Sequence, residues 1–181
     1  MSRAEHTPDA PGEATVILGI DTALRCTGYG VIAVRGRKLE ALDCGIIKNP
    51  PKLPHSACLE RLSTGIGEVV AAYTPDVASI EGTFYLRNAK TAMILGMARG
   101  SVIAPLARHG IPCYEYSPAS AKKAVTGHGR ADKKHVATIL AGMLQLNVTD
   151  IPDDSTDALG LAVCHVLTAQ SQGGIHLGEP L

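Results

Sequence analysis

This 181-residue sequence is poor in aromatic residues and has no long apolar run. It contains no tryptophan and one phenylalanine, and aromatic residues make up 3% of the chain. No stretch approaches the roughly 18 consecutive apolar residues that a membrane-spanning helix needs. Residues 1–14 are polar and lack the apolar core of a signal peptide. The sequence therefore argues against a membrane protein and a secreted precursor, and it predicts a soluble, cytoplasmic protein.

Neither the net charge nor the cysteines point to a partner. The 17 Lys and Arg residues balance the 17 Asp and Glu residues, so a nucleic-acid surface would have to gather its basic residues on one face. The five cysteines are scattered and include no CxxC pair, which argues against a zinc knuckle. Scattered thiols in apolar stretches are typical of reduced, buried cysteines in the cytosol.

Hydrophobic periodicity predicts three strands, then alternating helices and strands, and finally helices alone. The predicted strands are 16–21, 28–34, 39–47, 76–81 and 111–116. The predicted helices are 56–73, 88–108, 118–125, 131–146 and 153–169. This order predicts an α/β protein with a mixed five-stranded sheet and helices on both faces. We expect the domain to span residues 15–170, between a disordered leader (1–14) and a flexible tail (171–181).

Acidic residues stand at two predicted strand ends and at the start of the last helix. Asp21 ends the first strand and Glu81 ends the fourth, whereas Asp154 and Asp157 share one helical face through their i, i+3 spacing. A carboxylate at the end of a buried strand is costly unless it is paired or bound to metal. Oxygen ligands suit Mg²⁺ or Mn²⁺. Two such ions about 4 Å apart could activate a water and stabilise the leaving oxygen in phosphodiester hydrolysis.

Each of these acids also has a purely structural interpretation. An Asp at a strand end commonly forms a turn, and Asp153 or Asp154 could cap the last helix. Singly, each acid favours the structural interpretation; together they favour a metal site, provided that the strand ends meet the helix start. Asp153 is i, i+4 from Asp157 and could replace or assist Asp154.

Three segments carry a more specific signal. The first is LGID (18–21) with TGYGVI (27–32). The second is IEGTF (80–84) with NA (88–89) and LGMARG (95–100). The third is DSTDAL (154–159) with His165. In this order and spacing they resemble the motifs of RuvC-type Holliday-junction resolvases over residues 16–169.

The resemblance implies a ribonuclease-H-like fold, a homodimer and divalent-metal catalysis with about two Mg²⁺ or Mn²⁺ ions per active site. It also implies an endonuclease that resolves four-way DNA junctions by symmetric nicking in recombination and repair. Partners implied by the resemblance are a junction-binding protein and branch-migration motor proteins. The resemblance assigns the catalytic and metal-binding roles to Asp21, Glu81, Asp154 and Asp157.

The densest group of basic residues follows the fifth predicted strand. We call it the basic cluster, and its members are Lys122, Lys123, His128, Arg130, Lys133, Lys134 and His135. Such a group suits salt-dependent contacts with DNA phosphates, although runs of charge are usually solvated helix starts. The resemblance favours DNA, and it assigns Lys122 and Lys133 to the active site as well.

The only phenylalanine, Phe84, follows Glu81 by three residues. A lone aromatic residue beside the catalytic strand could stack on or wedge between bases, which is worth about 1–3 kcal/mol per base. Alternatively, its side chain could pack in the core beneath the next helix. The resemblance implies a DNA-inserting aromatic residue at this position, and it adds Tyr85 and Arg87 as assisting contacts.

Small residues recur every fourth position along the second predicted helix. They are Ala92, Gly96, Gly100 and Ala104. Such a stripe could pack closely on the chain's own sheet, or it could meet the same helix of a second subunit across a two-fold axis. The resemblance favours the contact between subunits.

Other functions stay open from the sequence. One is a non-catalytic module that binds junctions, and another is a ribonuclease-H-like nuclease that acts on structured RNA. A nucleotide-binding protein of the actin and sugar-kinase type is suggested by GIDT (19–22), but such proteins need two domains, for which 181 residues are too few.

Overall fold

The computed structural model describes residues 14–82, 88–171 and 178–181. The strands in these ranges are β1 (Thr15–Asp21), β2 (Cys26–Arg35), β3 (Lys38–Lys48), β4 (Val77–Glu81) and β5 (Cys113–Tyr116). The α-helices are α1 (His55–Tyr73), α2 (Ala89–Arg108), α3 (Pro118–Thr126), α4 (Lys133–Leu144) and α5 (Asp153–Ser171). The predicted leader, apart from its last residue, lies outside the described ranges, as do residues 172–177 of the predicted tail. No helix of the described chain is long and apolar enough to cross a membrane.

The strands form one sheet in the order β3-β2-β1-β4-β5. β2 is antiparallel to both β1 and β3, whereas β1, β4 and β5 run parallel to one another. The predicted mixed five-stranded sheet is therefore confirmed. Because β1, β3, β4 and β5 all point the same way, their carboxyl ends meet at one edge of the sheet, which we call the site edge.

Helices cover both faces of this sheet. Leu18 and Ile20 of β1 belong to a core cluster with residues of α1 and α2, whereas Ile17 belongs to a second cluster with residues of α4 and α5. Successive residues of a strand point to opposite faces. Asp21, which is in phase with Ile17, therefore lies on the face covered by α5.

The start of α5 lies unusually close to β1 and β2. A Cβ atom added to Gly28 would stand 1.9 Å from the main-chain oxygen of Asp154, and one added to Gly19 would stand 1.9 Å from that of Ala158. Only residues without a side chain leave room for this approach. The glycines of the first sequence motif thereby bring the acidic start of α5 onto the strand that ends in Asp21.

Predicted helix boundaries shift where capping residues intervene. α4 was expected to begin at residue 131, but it begins at Lys133 because the Asp132 side chain accepts a hydrogen bond from the His135 amide at 2.9 Å. Asn88 caps α2 as expected, accepting from the Thr91 amide at 3.1 Å.

Candidate active site

The ends of β1 and β4 place two carboxylates side by side at the site edge. Ile20 is in register with Ile80, so Asp21 and Glu81 follow at the same level on adjacent parallel strands. Both line a cavity of about 170 Å³, which Asp157 of α5 and Lys122 of α3 also line. The sequence favoured a metal site only if the ends of these strands meet the start of the last helix. The structure brings them together.

The electrostatics of the cavity centre on Asp21. Burial raises the pKa of its carboxyl from 3.8 to about 7, and the charge of Glu81 and a hydrogen bond with Glu81 add to this rise. The charges of Asp157 and Asp154 raise the pKa further. Several carboxylates held this close resist full ionisation at neutral pH, and a cation would relieve their repulsion.

The two acids of α5 have different neighbours. Asp157 Oδ2 lies 3.6 Å from the Lys133 ammonium, and Asp154 Oδ2 accepts a hydrogen bond from the Cys26 thiol at 3.0 Å. Asp153 and Asp154 are both exposed at the helix start, but only Asp154 is among the charges that raise the pKa of Asp21. The geometry thus favours Asp154 over its neighbour Asp153 as the third acid of the site.

Cys26 corrects one expectation about the cysteines. Cys58, Cys113 and Cys164 are buried as expected, but Cys26 and Cys44 are only partly buried. The expectation is wrong for Cys26 because β2 begins at the site edge, where the thiol faces Asp154.

The donor set fits a hard divalent cation in its chemistry. Asp21, Glu81 and Asp157 offer only carboxylate oxygens to one cavity, as Mg²⁺ and Mn²⁺ prefer. As they stand, no three His, Cys, Asp or Glu side chains of the described ranges are arranged to hold a metal ion. Asp154 and Asp157 are instead engaged by Cys26 and Lys133, so gathering the acids around an ion means exchanging those two contacts.

The basic cluster borders this cavity on the side of α3 and α4. Lys122 is half-buried in the cavity wall, and Lys133 is the exposed neighbour of Asp157. The remaining members are exposed: Lys123, His128, Arg130, Lys134 and His135. Phe84, Tyr85 and Arg87 lie outside the described residues, so their predicted contacts with DNA stay predictions.

Arg99 is a residue of this region that the sequence argument missed. It is only 8% exposed, and its guanidinium donates to the main-chain carbonyl of Glu81 and to the carboxylate of Glu115. The sequence does contain a signal for this contact, because an arginine in the apolar stretch of α2 and a glutamate inside β5 could form a buried ion pair. Sequence patterns alone did not show that the two residues meet.

His165 ties α5 to the sheet. Its Nδ1 lies 2.9 Å from the hydroxyl of Tyr116, at the end of β5. The ring is 6% exposed, and burial lowers its pKa to about 4, which keeps it neutral at physiological pH. The contact secures the helix that carries Asp154 and Asp157.

Known proteins are similar to this chain in sequence and architecture. The family model of the crossover junction endodeoxyribonuclease RuvC matches residues 17–165. RuvC of Caldicellulosiruptor saccharolyticus is 38% identical over 86% of this chain and 94% of the relative, and RuvC of Pelodictyon phaeoclathratiforme is 40% identical over 87% and 82%.

Solved structures agree with the sequence relatives. Thermus thermophilus RuvC in complex with a Holliday junction substrate matches with a TM-score of 0.83 and 32% identity, covering 92% of this chain and 99% of that one. The yeast mitochondrial Holliday junction resolvase shares the fold at a TM-score of 0.56 and 13% identity. The expected fold is thus confirmed, and the chain belongs to the RuvC family of crossover junction endodeoxyribonucleases.

Proposed function

We propose that this protein is a Holliday-junction resolvase that nicks four-way DNA junctions in recombination and repair. The observation that carries the proposal is the cavity at the site edge, where Asp21, Glu81 and Asp157 stand together beside Lys122. The relative from Thermus thermophilus, whose structure contains a Holliday junction substrate, matches this chain over 99% of its own length. An acidic cavity bordered by lysines suits metal-assisted hydrolysis of a phosphodiester.

The nucleases of this family depend on divalent metal ions. In this chain Asp21, Glu81, Asp154 and Asp157 would hold Mg²⁺ or Mn²⁺, with about two ions per site. Such ions, when bound, would supply Lewis-acid activation of a water molecule and charge stabilisation for the reacting phosphate.

The chain's own residues position the DNA and balance its charge. Asp21 and Glu81 are half-buried at the strand ends, which restricts their oxygens to one place, and half-buried Lys122 brings a positive charge to the same cavity. A lysine held there can stabilise the extra negative charge of the phosphate as it reacts. We assign Lys133, beside Asp157, the same role.

Contacts outside the cavity would bind the rest of the junction. The exposed members Lys123, His128, Arg130 and Lys134 suit flanking phosphates, so that binding weakens as salt rises. Phe84, with Tyr85 and Arg87, would insert at the junction, as the family resemblance implies. The same resemblance supports cooperation with a junction-binding protein and branch-migration motor proteins.

A homodimer would give two symmetric nicks, and α2 offers a surface for it. A Cβ atom added to Gly96 or Gly100 would meet nothing within 4 Å, so this side of α2 does not pack on the chain's own sheet. Met93 and Met97 are 70% and 42% exposed beside the glycines. Exposed apolar residues around a flat stripe of small residues suit a two-fold contact between the same helices of two subunits.

The experiment incubates the purified protein with a labelled four-way junction whose centre can migrate, and separately with linear duplex. Each substrate is tested with Mg²⁺, with Mn²⁺ and with a chelator, and an Asp21→Asn variant runs alongside. We expect paired nicks near the crossover that need metal and are lost in the variant. Binding without nicking under either metal would identify a non-catalytic junction-binding module. If the junction is neither bound nor cut, the proposal is wrong, and cleavage of structured RNA becomes the function to test.

A further inference from the structure

We propose that Lys48 and Lys52 form a second phosphate-binding contact, on the opposite side of the acidic cavity from the basic cluster. The contact would hold the junction strand whose phosphodiester lies at Asp21. This inference rests on the proposed function, which supplies the DNA.

Lys48 is the last residue of β3 and faces the same side of the sheet as the acids. It pairs across the antiparallel ladder with Cys26, whose thiol is hydrogen-bonded to Asp154. Directly opposed residues of antiparallel strands point to the same face, so the Lys48 side chain leaves the sheet on the α5 side. Asp21 is level with Gly28 of β2 and Ile46 of β3, so Lys48 lies roughly 10 Å to the side of Asp21 and two residues, roughly 7 Å, beyond it along the strand direction.

Lys52 stands on a loop that is fastened beside the turn following β1. The Asn49 amide donates to the Arg25 carbonyl at 2.9 Å. The Arg25 guanidinium donates in turn to the carbonyls of Pro50 and Leu53, at 2.7 and 3.0 Å. Because the loop is already ordered, binding DNA through it costs little conformational entropy.

The two lysines are free to meet an anion. Both are exposed, and neither forms an ion pair with any described residue. The sequence has no acidic residue between positions 44 and 59, and Glu60, which lines a surface pocket with Lys48, accepts a hydrogen bond from the Thr64 hydroxyl at 3.0 Å. The nearest acid before that stretch, Asp43, accepts a hydrogen bond from the Tyr29 hydroxyl at 3.1 Å. A lysine without a carboxylate partner at the rim of a DNA-cutting site suits a phosphate oxygen.

The position of these lysines defines a path for the DNA strand. Lys122 and Lys133 border the acids on the side of α3 and α4, and Lys48 borders them on the side of β3. A strand lying across the acids would thus be held by cations on both sides of the phosphodiester that is cut, which would fix that bond over Asp21.

The test compares a Lys48→Ala, Lys52→Ala double variant with a Lys38→Ala control. Lys38 is exposed at the opposite end of the same strand and forms no ion pair with any described residue. Junction affinity is measured by fluorescence anisotropy in chelator over a salt series. Each lost phosphate contact should reduce the salt dependence, d log K/d log[salt], by about 0.9 in magnitude. The ratio of the wild-type to the variant association constant should therefore fall about 3.5-fold per lost contact as salt rises from about 50 to about 200 mM.

We expect the double variant to bind more weakly with the shallower slope, while the control keeps the wild-type slope. A double variant with the slope and affinity of the control would overturn the second contact and leave the proposed function standing. A wild-type protein that binds no junction at any salt would overturn the proposed function and this contact together. Matching thermal melts of all three proteins would show that the comparison concerns binding and not folding.

Discussion

Arg99 of α2 bridges the main-chain carbonyl of Glu81 and the carboxylate of Glu115. The bridge joins α2 to the ends of β4 and β5, at the point where Glu81 enters the cavity. Arginine keeps its charge at any physiological pH, and its planar fork can serve both acceptors at once. Arg99 therefore positions Glu81 through the backbone without itself lining the cavity.

Replacing Arg99 with alanine should destabilise the protein by about 2 kcal/mol, because Glu115 loses its charged partner and the Glu81 carbonyl loses its donor. The nicking rate should fall as well, since the end of β4 is no longer held. Arg99→Lys should recover part of both losses, because an ammonium can replace one of the two contacts. Urea unfolding and single-turnover nicking measure the two effects.

The matched control for this prediction is Arg108→Ala. Arg108 is an exposed residue in the last turn of the same helix, and its loss should change stability by less than about 0.5 kcal/mol. If Arg99→Ala and Arg108→Ala lose the same free energy of unfolding and the same nicking rate, the Arg99 bridge does not position Glu81.

Gly28 is predicted to tolerate no side chain. In Gly28→Ala, the added Cβ would stand 1.9 Å from the Asp154 carbonyl oxygen, a main-chain atom that cannot turn aside. The start of α5 must then lift from the sheet, at a cost of about 1–3 kcal/mol or more, and Asp154 moves away from Asp21. Thermal melts should show the lower stability, and nicking assays should show a lower rate.

Gly142 supplies the opposite expectation for the same substitution. It lies exposed in α4 with nothing near its missing Cβ, so Gly142→Ala should raise stability by about 0.5–1 kcal/mol. If both alanines were tolerated alike, the close approach of α5 to β2 would be wrong.

The order of elements and the place of the acids could be predicted from sequence because both are local properties. A continuous apolar run marks β1, and Asp21 and Glu81 could be placed because each simply ends its strand. Helix starts were predicted to within two residues, and the error at α4 has a local cause in the Asp132 cap. The family motifs then added what no single pattern states, namely which acids the resemblance assigns to one site.

Contacts between distant segments could not be predicted in this way. The Cys26–Asp154 hydrogen bond joins residues 128 positions apart, and it depends on the register of β2 and on the glycines beneath α5. The Arg99–Glu115 bridge likewise needs the packing of α2 over β5. Periodicity reports which face a residue takes, but not which distant residue it meets there.

Lys122 and Lys134 should separate catalysis from binding. Lys122 lines the acidic cavity, so Lys122→Ala should lower the single-turnover rate about 100-fold at saturating junction. Lys134 is exposed on α4 outside the cavity lining, so Lys134→Ala should weaken affinity and leave that rate nearly intact. A Lys122→Ala variant that differs from wild type only in affinity would remove Lys122 from the active site.

Gly96 should control the oligomeric state. A glutamate at this position projects from the exposed stripe of α2, so Gly96→Glu should yield folded monomers by introducing a pair of like charges at the proposed two-fold contact. Gly142→Glu places the same residue at an equally open helical glycine of α4 and should keep the wild-type mass. Sedimentation velocity distinguishes the two results. A Gly96→Glu protein that sediments like wild type would place the dimer contact elsewhere or exclude a dimer.

Asp21 should make the metal-free protein less stable as pH rises. Its folded-state pKa of about 7 lies above the ordinary value of 3.8, so the folded state holds the proton more tightly than the unfolded state. That contribution to stability is complete below the ordinary value and is lost as pH rises through about 7. Asp21→Asn cannot ionise, so in chelator it should melt above wild type near pH 8, and the difference should shrink toward pH 4.

Asp132→Asn provides a control of opposite sign for this pH series. The backbone amide of His135 lowers the pKa of Asp132, so its contribution to stability is present above the ordinary value and lost as pH falls. Asp132→Asn should therefore melt below wild type near pH 8, whereas Asp21→Asn melts above it.

Mg²⁺ should raise the melting temperature of wild type near pH 8 by binding the ionised acids, and it should raise that of Asp21→Asn much less. Parallel melting curves for wild type and Asp21→Asn across the whole range would show that the carboxylates at the site edge do not repel one another in solution.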